Sequence, residues 1–173
     1  IPDMQVLKEF SWDPASEKFA GIGMGRLEFA LLREAPGGSC CQSLRLVDAS
    51  SGASRTVTLP PLPFTENFVF STDGRYAADL IAGASPGKLA VVDATTFEVS
   101  AVVSPAGEQL RWYDISQDGS TLLTAFSVGN LQAWSTASGE LLGTGKVNNF
   151  SPGQFTLSGS GRLMVAAIEI QKI

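Results

Sequence analysis

Apolar runs of strand length, broken at regular intervals by turn residues, dominate this chain. Residues 68–103 show the pattern most clearly: Phe-Val-Phe-Ser-Thr-Asp-Gly-Arg-Tyr-Ala-Ala-Asp-Leu-Ile-Ala-Gly, then Lys-Leu-Ala-Val-Val-Asp, then Phe-Glu-Val-Ser-Ala-Val-Val. Breaks fall at Asp73-Gly74, at 83–87 and at 93–96. Short apolar runs bounded by Gly, Pro, Asp and Ser read as strands, and tight breaks between them read as hairpins. The stretch therefore predicts four short strands in one antiparallel up-and-down sheet.

The pattern repeats. Asp73-Gly74 returns as Asp118-Gly119, 45 positions later, and more loosely as Ser160-Gly161 after a further 42. Each turn follows an apolar stretch ending in Ser: Phe68-Val-Phe-Ser71, Tyr113-Asp-Ile-Ser116 and Phe155-Thr-Leu-Ser158. Gly provides the positive φ of a tight turn, and Asp or Ser bonds back to its own backbone there. A second landmark keeps step: Leu44-Arg-Leu-Val-Asp48, Leu89-Ala-Val-Val-Asp93 and Leu131-Gln-Ala-Trp-Ser135, followed by Ser50-Ser-Gly52, Thr95-Thr-Phe97 and Ala137-Ser-Gly139. Two landmarks sharing a period of roughly 40–45 residues match a four-stranded propeller blade.

Phe-Ser-Thr-Asp-Gly-Arg-Tyr followed by Leu-Ala-Val-Val-Asp-Ala-Thr-Thr resembles the WD40/YVTN-like β-propellers, in which two such hairpins alternate. The resemblance covers nearly the whole chain, weakly at both ends. It implies an all-β propeller of four-stranded antiparallel blades, with about three to four blades present. The chain has no His, so the Gly-His dipeptide of WD40 repeats, and the buried Asp–His–Ser/Thr–Trp network it anchors, are missing. Trp134 holds the Trp position once, with Ser135 in place of the Asp. Val47-Asp48 and Val92-Asp93 keep the Asp without the Trp.

The units fall at 10–60, 66–106, 109–146 and a partial 151–173. Within the first, we expect a strand over 1–10, a variant hairpin at 10–19 turning at Asp13-Pro14, a second strand at 27–32, and strands at 44–48 and 56–59. Gly21-Ile-Gly-Met-Gly25 has the look of a phosphate-cradling loop, but no Gly-Lys-Ser/Thr and no downstream ribose-binding acid complete the motif. Leu59-Pro-Pro-Leu-Pro-Phe64 reads as the crossover between units rather than a polyproline ligand, since no charged anchor flanks it.

The count leaves a partial unit, while propellers close with four to eight blades. An open ring exposes strand edges and an apolar face. We therefore expect this chain to belong to a larger ring, closed by the rest of a longer chain or by another protein. It starts at Ile1 and lacks a basic-then-apolar leader pattern, which fits a processed or excerpted segment.

Net charge is −5, with no basic cluster, which argues against nucleic acid as a partner. No run reaches the length of a membrane span, so no membrane insertion is expected. Cys40 and Cys41 are adjacent, too close for an unstrained disulfide, and read as reduced thiols in a cytoplasmic setting.

With no His, the commonest general base and metal ligand is missing, and we expect no catalytic residues, metal or cofactor. Asp48, Asp73, Asp93 and Asp118 sit at turns, where they cap backbone. Asp79 and Asp114 differ because each lies inside an apolar strand run, facing either solvent or a central channel. Trp112 and Trp134, like most of the aromatics, suit packing between blades or contact with a partner. Asp79, Asp114, Trp112 and Trp134 are thus the candidate channel or partner contacts. The expected function is a non-catalytic scaffold for protein–protein interaction, or a subunit of a larger assembly. Alternatives are a ligand-binding or hydrolytic propeller with a channel site, and a sensor domain of a signalling or defence protein.

Overall fold

The computed structural model describes residues 11, 13–23, 28–33, 43–65, 67–84, 87–105, 109–127, 129–147, 155–157 and 164–166. Every regular element among them is a β-strand. Sheet I comprises β1 (Glu17–Gly23), β2 (Glu28–Arg33), β3 (Ser43–Asp48) and β4 (Ser54–Thr58). Sheet II comprises β5 (Val69–Phe70), β6 (Tyr76–Ile81), β7 (Lys88–Asp93) and β8 (Val99–Val103). Sheet III comprises β9 (Leu110–Ile115), β10 (Thr121–Phe126), β11 (Asn130–Ser135) and β12 (Leu141–Lys146). A two-stranded sheet follows, β13 (Phe155–Leu157) with β14 (Met164–Ala166). In each four-stranded sheet the strands are paired in chain order, all antiparallel.

The turns form as their residues dictate. Asp73 accepts the Arg75 N–H and the Ser71 hydroxyl, and Asp118 does the same for the Ser120 N–H and the Ser116 hydroxyl. Gly74 and Gly119 take φ of 71° and 69°, where a Cβ is disfavoured. In the turn between the last two strands, Asp48 of sheet I and Asp93 of sheet II accept two backbone N–H groups apiece. Gly52 and Gly139 close this turn with φ of 75° and 72°, but sheet II has Phe97 at that place, with φ of 59°. Its ring is 1% exposed. Burying an aromatic ring outweighs the cost of a left-handed backbone, of order 1–3 kcal/mol.

The apolar runs look continuous because sheet II is buried on both faces. Along β7 the residues alternate: Ala90 and Val92 join a cluster with Leu32, Leu44 and Leu46 of sheet I, whereas Leu89 and Val91 join one with Ile115, Leu122 and Trp134 of sheet III. A third cluster, Leu123, Ala125 and Leu131 with Trp112, lies on the opposite face of sheet III. The first strands of consecutive sheets approach one another, β1 with β5, β5 with β9 and β9 with β13. No comparable approach joins β4, β8 and β12 among the described residues.

Gly21-Ile22-Gly23 forms the end of β1, where Gly21 pairs with Ala30 across a register shift after Phe19; glycine accommodates such a bulge. Residues 28–33 form β2, in keeping with the strand expected at 27–32. The Pro-rich segment connects sheets I and II, with Leu59 and Phe64 buried and Pro63 accepting the Ala82 N–H. The strand expected over 1–10, the thiols at 40–41 and the turn at 160–161 lie outside the described residues.

Candidate functional site

Asp79, on β6, is completely buried. Its Oδ1 accepts the Thr65 hydroxyl at 2.7 Å, the Leu80 N–H at 2.7 Å and the Tyr113 hydroxyl at 2.9 Å, and its Oδ2 accepts the Asn67 N–H at 3.3 Å. Thr65 and Asn67 belong to the segment entering sheet II, and Tyr113 belongs to β9 of sheet III. The Tyr113 oxygen also lies 2.7 Å from the Asn67 carbonyl, so its one proton faces two acceptors. Burial first, then the adjacent Asp79 charge, push the Tyr113 hydroxyl far above its usual range, and it stays a neutral donor. A carboxylate has about four acceptor positions, and four of the protein's own donors surround this one, three at Oδ1 and one at Oδ2. Asp79 thus fastens the entry segment and the neighbouring sheet to β6, facing neither solvent nor an open channel.

Asp114 follows Tyr113 on β9 and pairs with Leu123. It is half-buried, and its Oδ1 accepts the Ile115 N–H at 2.8 Å. Burial raises its carboxyl above the ordinary aspartate range, opposed by that bond. Trp112 packs against the third cluster, opposite Ala125. Trp134 is 7% exposed in the cluster between sheets II and III, and its Nε1–H donates to Thr124 Oγ1 at 3.1 Å. Thr124 in turn donates to the Gln132 carbonyl at 3.2 Å. The four candidates therefore divide: Asp79 and Trp134 hold the stack together, Trp112 sits on its other side, and Asp114 is the half-buried acid of the set.

The sequence reading missed Tyr113, Thr65 and Asn67, whose roles emerge only when sheets II and III meet. It also missed Glu17, 3% exposed, held by Arg45 at 2.7 and 2.8 Å and by Arg33 at 3.3 Å. The Arg45 hydrogen bond draws the Glu17 carboxyl below its usual range. The signal available was a lone acid opening one strand and an arginine within the apolar run of another.

Among the described residues no three His, Cys, Asp or Glu side chains converge as a metal site would require. None of their helices is long and apolar enough to cross a membrane. Comparison with protein-family models and with curated proteins gives no match.

Proposed function

We propose that this chain is a segment of a WD40-like β-propeller that acts as a protein-interaction scaffold or as a subunit of a larger assembly. The observation that carries this reading is the arrangement of the sheets: the first strands of successive sheets lie together while the last strands do not. That is the relation expected of blades set around an axis. The Trp134–Thr124 hydrogen bond adds support, since it is the part of the WD40 polar network that a chain without histidine can keep. Asp79 favours a structural over a chemical role, because the protein's own donors surround its carboxylate.

The experiment is isolation of the protein from its source under crosslinking conditions, with mass measurement of the native species. The scaffold reading expects a co-isolated protein crosslinked to exposed lysines such as Lys88 and Lys146. An 18.2 kDa species with no crosslinked partner would count against it. A second reading, a ligand site near the axis, draws on Asp114, a half-buried acid on a first strand. Substrate turnover lost in a folded Asp114→Asn variant would favour that reading.

A further inference from the structure

The outer edges of the three sheets differ in a way that the repeat does not impose. β4, β8 and β12 each end a sheet and, among the described residues, are paired on one side only, as an edge strand is. The exposed residues of β4 are polar, Ser54, Thr56 and Thr58. β12 is exposed along its whole length and opens with Leu141 and Leu142, 44% and 57% exposed. A register shift between Ala133 and Trp134 breaks the in–out alternation there, and both leucines meet solvent. β8 has the equivalent shift between Val91 and Val92 and exposes Val99 and Val102, so charge is what tells these two edges apart.

Opposite charges bracket the same strand. Glu140 precedes it and Lys146 ends it; both are exposed, and neither is in a salt bridge among the described residues. β8 has Glu98 before it but Ser104-Pro105 after it. On β4, Arg55 is engaged with the Thr95 carbonyl of sheet II at 3.0 Å. Of the three edges, β12 alone has a charge pattern complementary to its own reverse.

We propose that β12 pairs with β12 of a second copy of this chain, antiparallel and related by a two-fold axis at Gly143. In that register Glu140 of each copy faces Lys146 of the other, and Leu142 faces Thr144. An isologous contact makes each favourable pair twice. Gly143 puts no side chain at the axis, and the space its Cβ would take on the face of the sheet is open. A single strand pair buries less than the roughly 1,200 Å² of a stable interface, so the dimer is reversible. The inference needs only the edge of sheet III and stands apart from the propeller reading.

The test is sedimentation of the 173-residue chain over a wide concentration range. The mass should climb from 18.2 kDa towards twice that value. Glu140→Lys or Lys146→Glu alone, each on an exposed side chain and checked for fold by circular dichroism, should weaken association by roughly tenfold, since two pairs turn repulsive at once. The combined charge swap should restore it. A mass fixed at 18.2 kDa at every concentration overturns the proposal and leaves the edge to a strand of a different protein. Single variants that associate like the wild type, or a double variant as weak as the singles, overturn it as well.

Discussion

Between sheets I and II the space is filled by Phe64, Phe68 and Phe97 among aliphatic side chains, with Phe64 and Phe68 tilted at 5.0 Å between ring centroids. Between sheets II and III the apolar cluster is joined by polar fastenings. Tyr113 reaches Asp79, Ser100 Oγ reaches the Thr136 carbonyl, and Asp73 N–H bonds the Gln117 carbonyl. The first seam has a polar tie as well, Arg55 to the Thr95 and Ala94 carbonyls, but that one is anchored on backbone carbonyls. The second is anchored on the fully buried Asp79, so one repeat produces two kinds of seam. Asp79 and Thr124 sharpen the contrast, because they stand 45 positions apart at the same place in successive repeats and both are fully buried. Asp79 bonds outward to a neighbouring sheet, while Thr124 bonds inward to its own. Sheet I has Leu31 at this place, so the period fixes burial but not polarity; where the side chain is polar, its neighbours determine whether it ties sheets together or stiffens one of them.

The largest test of this contrast is Asp79→Ala, which strands the Thr65, Asn67 and Tyr113 groups. At about 1–3 kcal/mol for each buried group left unpaired, the expected loss is roughly 3–5 kcal/mol by urea unfolding. A loss below about 1 kcal/mol would mean the carboxylate does not hold this seam. Next comes Phe97→Gly in the apolar seam. The ring is worth about 3–5 kcal/mol and the relieved backbone returns about 1, for a net loss of about 2–4 kcal/mol. Stabilisation on this change would mean that strain outweighs packing there. Thr124→Val, which leaves Trp134 Nε1 without its acceptor, should cost about 1–2 kcal/mol. A cost equal to that of Asp79→Ala would erase the distinction between outward and inward bonding.

The smallest effect concerns Asp114. Its folded carboxyl titrates above the unfolded one because burial disfavours the charge. Protein with both forms protonated, at acid pH, escapes this penalty, which grows as pH rises from the unfolded value through the folded one. Asp114→Asn should therefore stabilise the protein near neutrality, and the gain should vanish in acid. A variant no more stable than the wild type at pH 7 would refute the burial argument.

Much of the sheet pattern was legible because turn chemistry is local. Asp73-Gly74 and Asp118-Gly119, the Ser before each, and Asp93 and Ser135 at the later turns bond to nearby backbone, so their spacing marked the hairpins of sheets II and III. Sheet I was read less well. Its β1 contains two glycines that mimic a loop, and only pairing with β2 makes that segment a strand. The site was less legible still. An acid inside an apolar run signalled that Asp79 was unusual, but Tyr113 approaches it from 34 residues away, a relation no local pattern encodes. Phe97 stands where the repeat has Gly52 and Gly139, but only the burial of its ring shows why a phenylalanine adopts the glycine's backbone there.

The bond from Asp73 N–H to the Gln117 carbonyl, 2.8 Å, links one hairpin turn to the next through main-chain atoms alone. Any residue but proline at position 73 can supply that donor, and any residue at 117 the acceptor. Side chains around the two turns can be exchanged over generations without giving up this contact between neighbours. Ancestral copies of one repeat can in this way grow unlike each other while their turns stay in step.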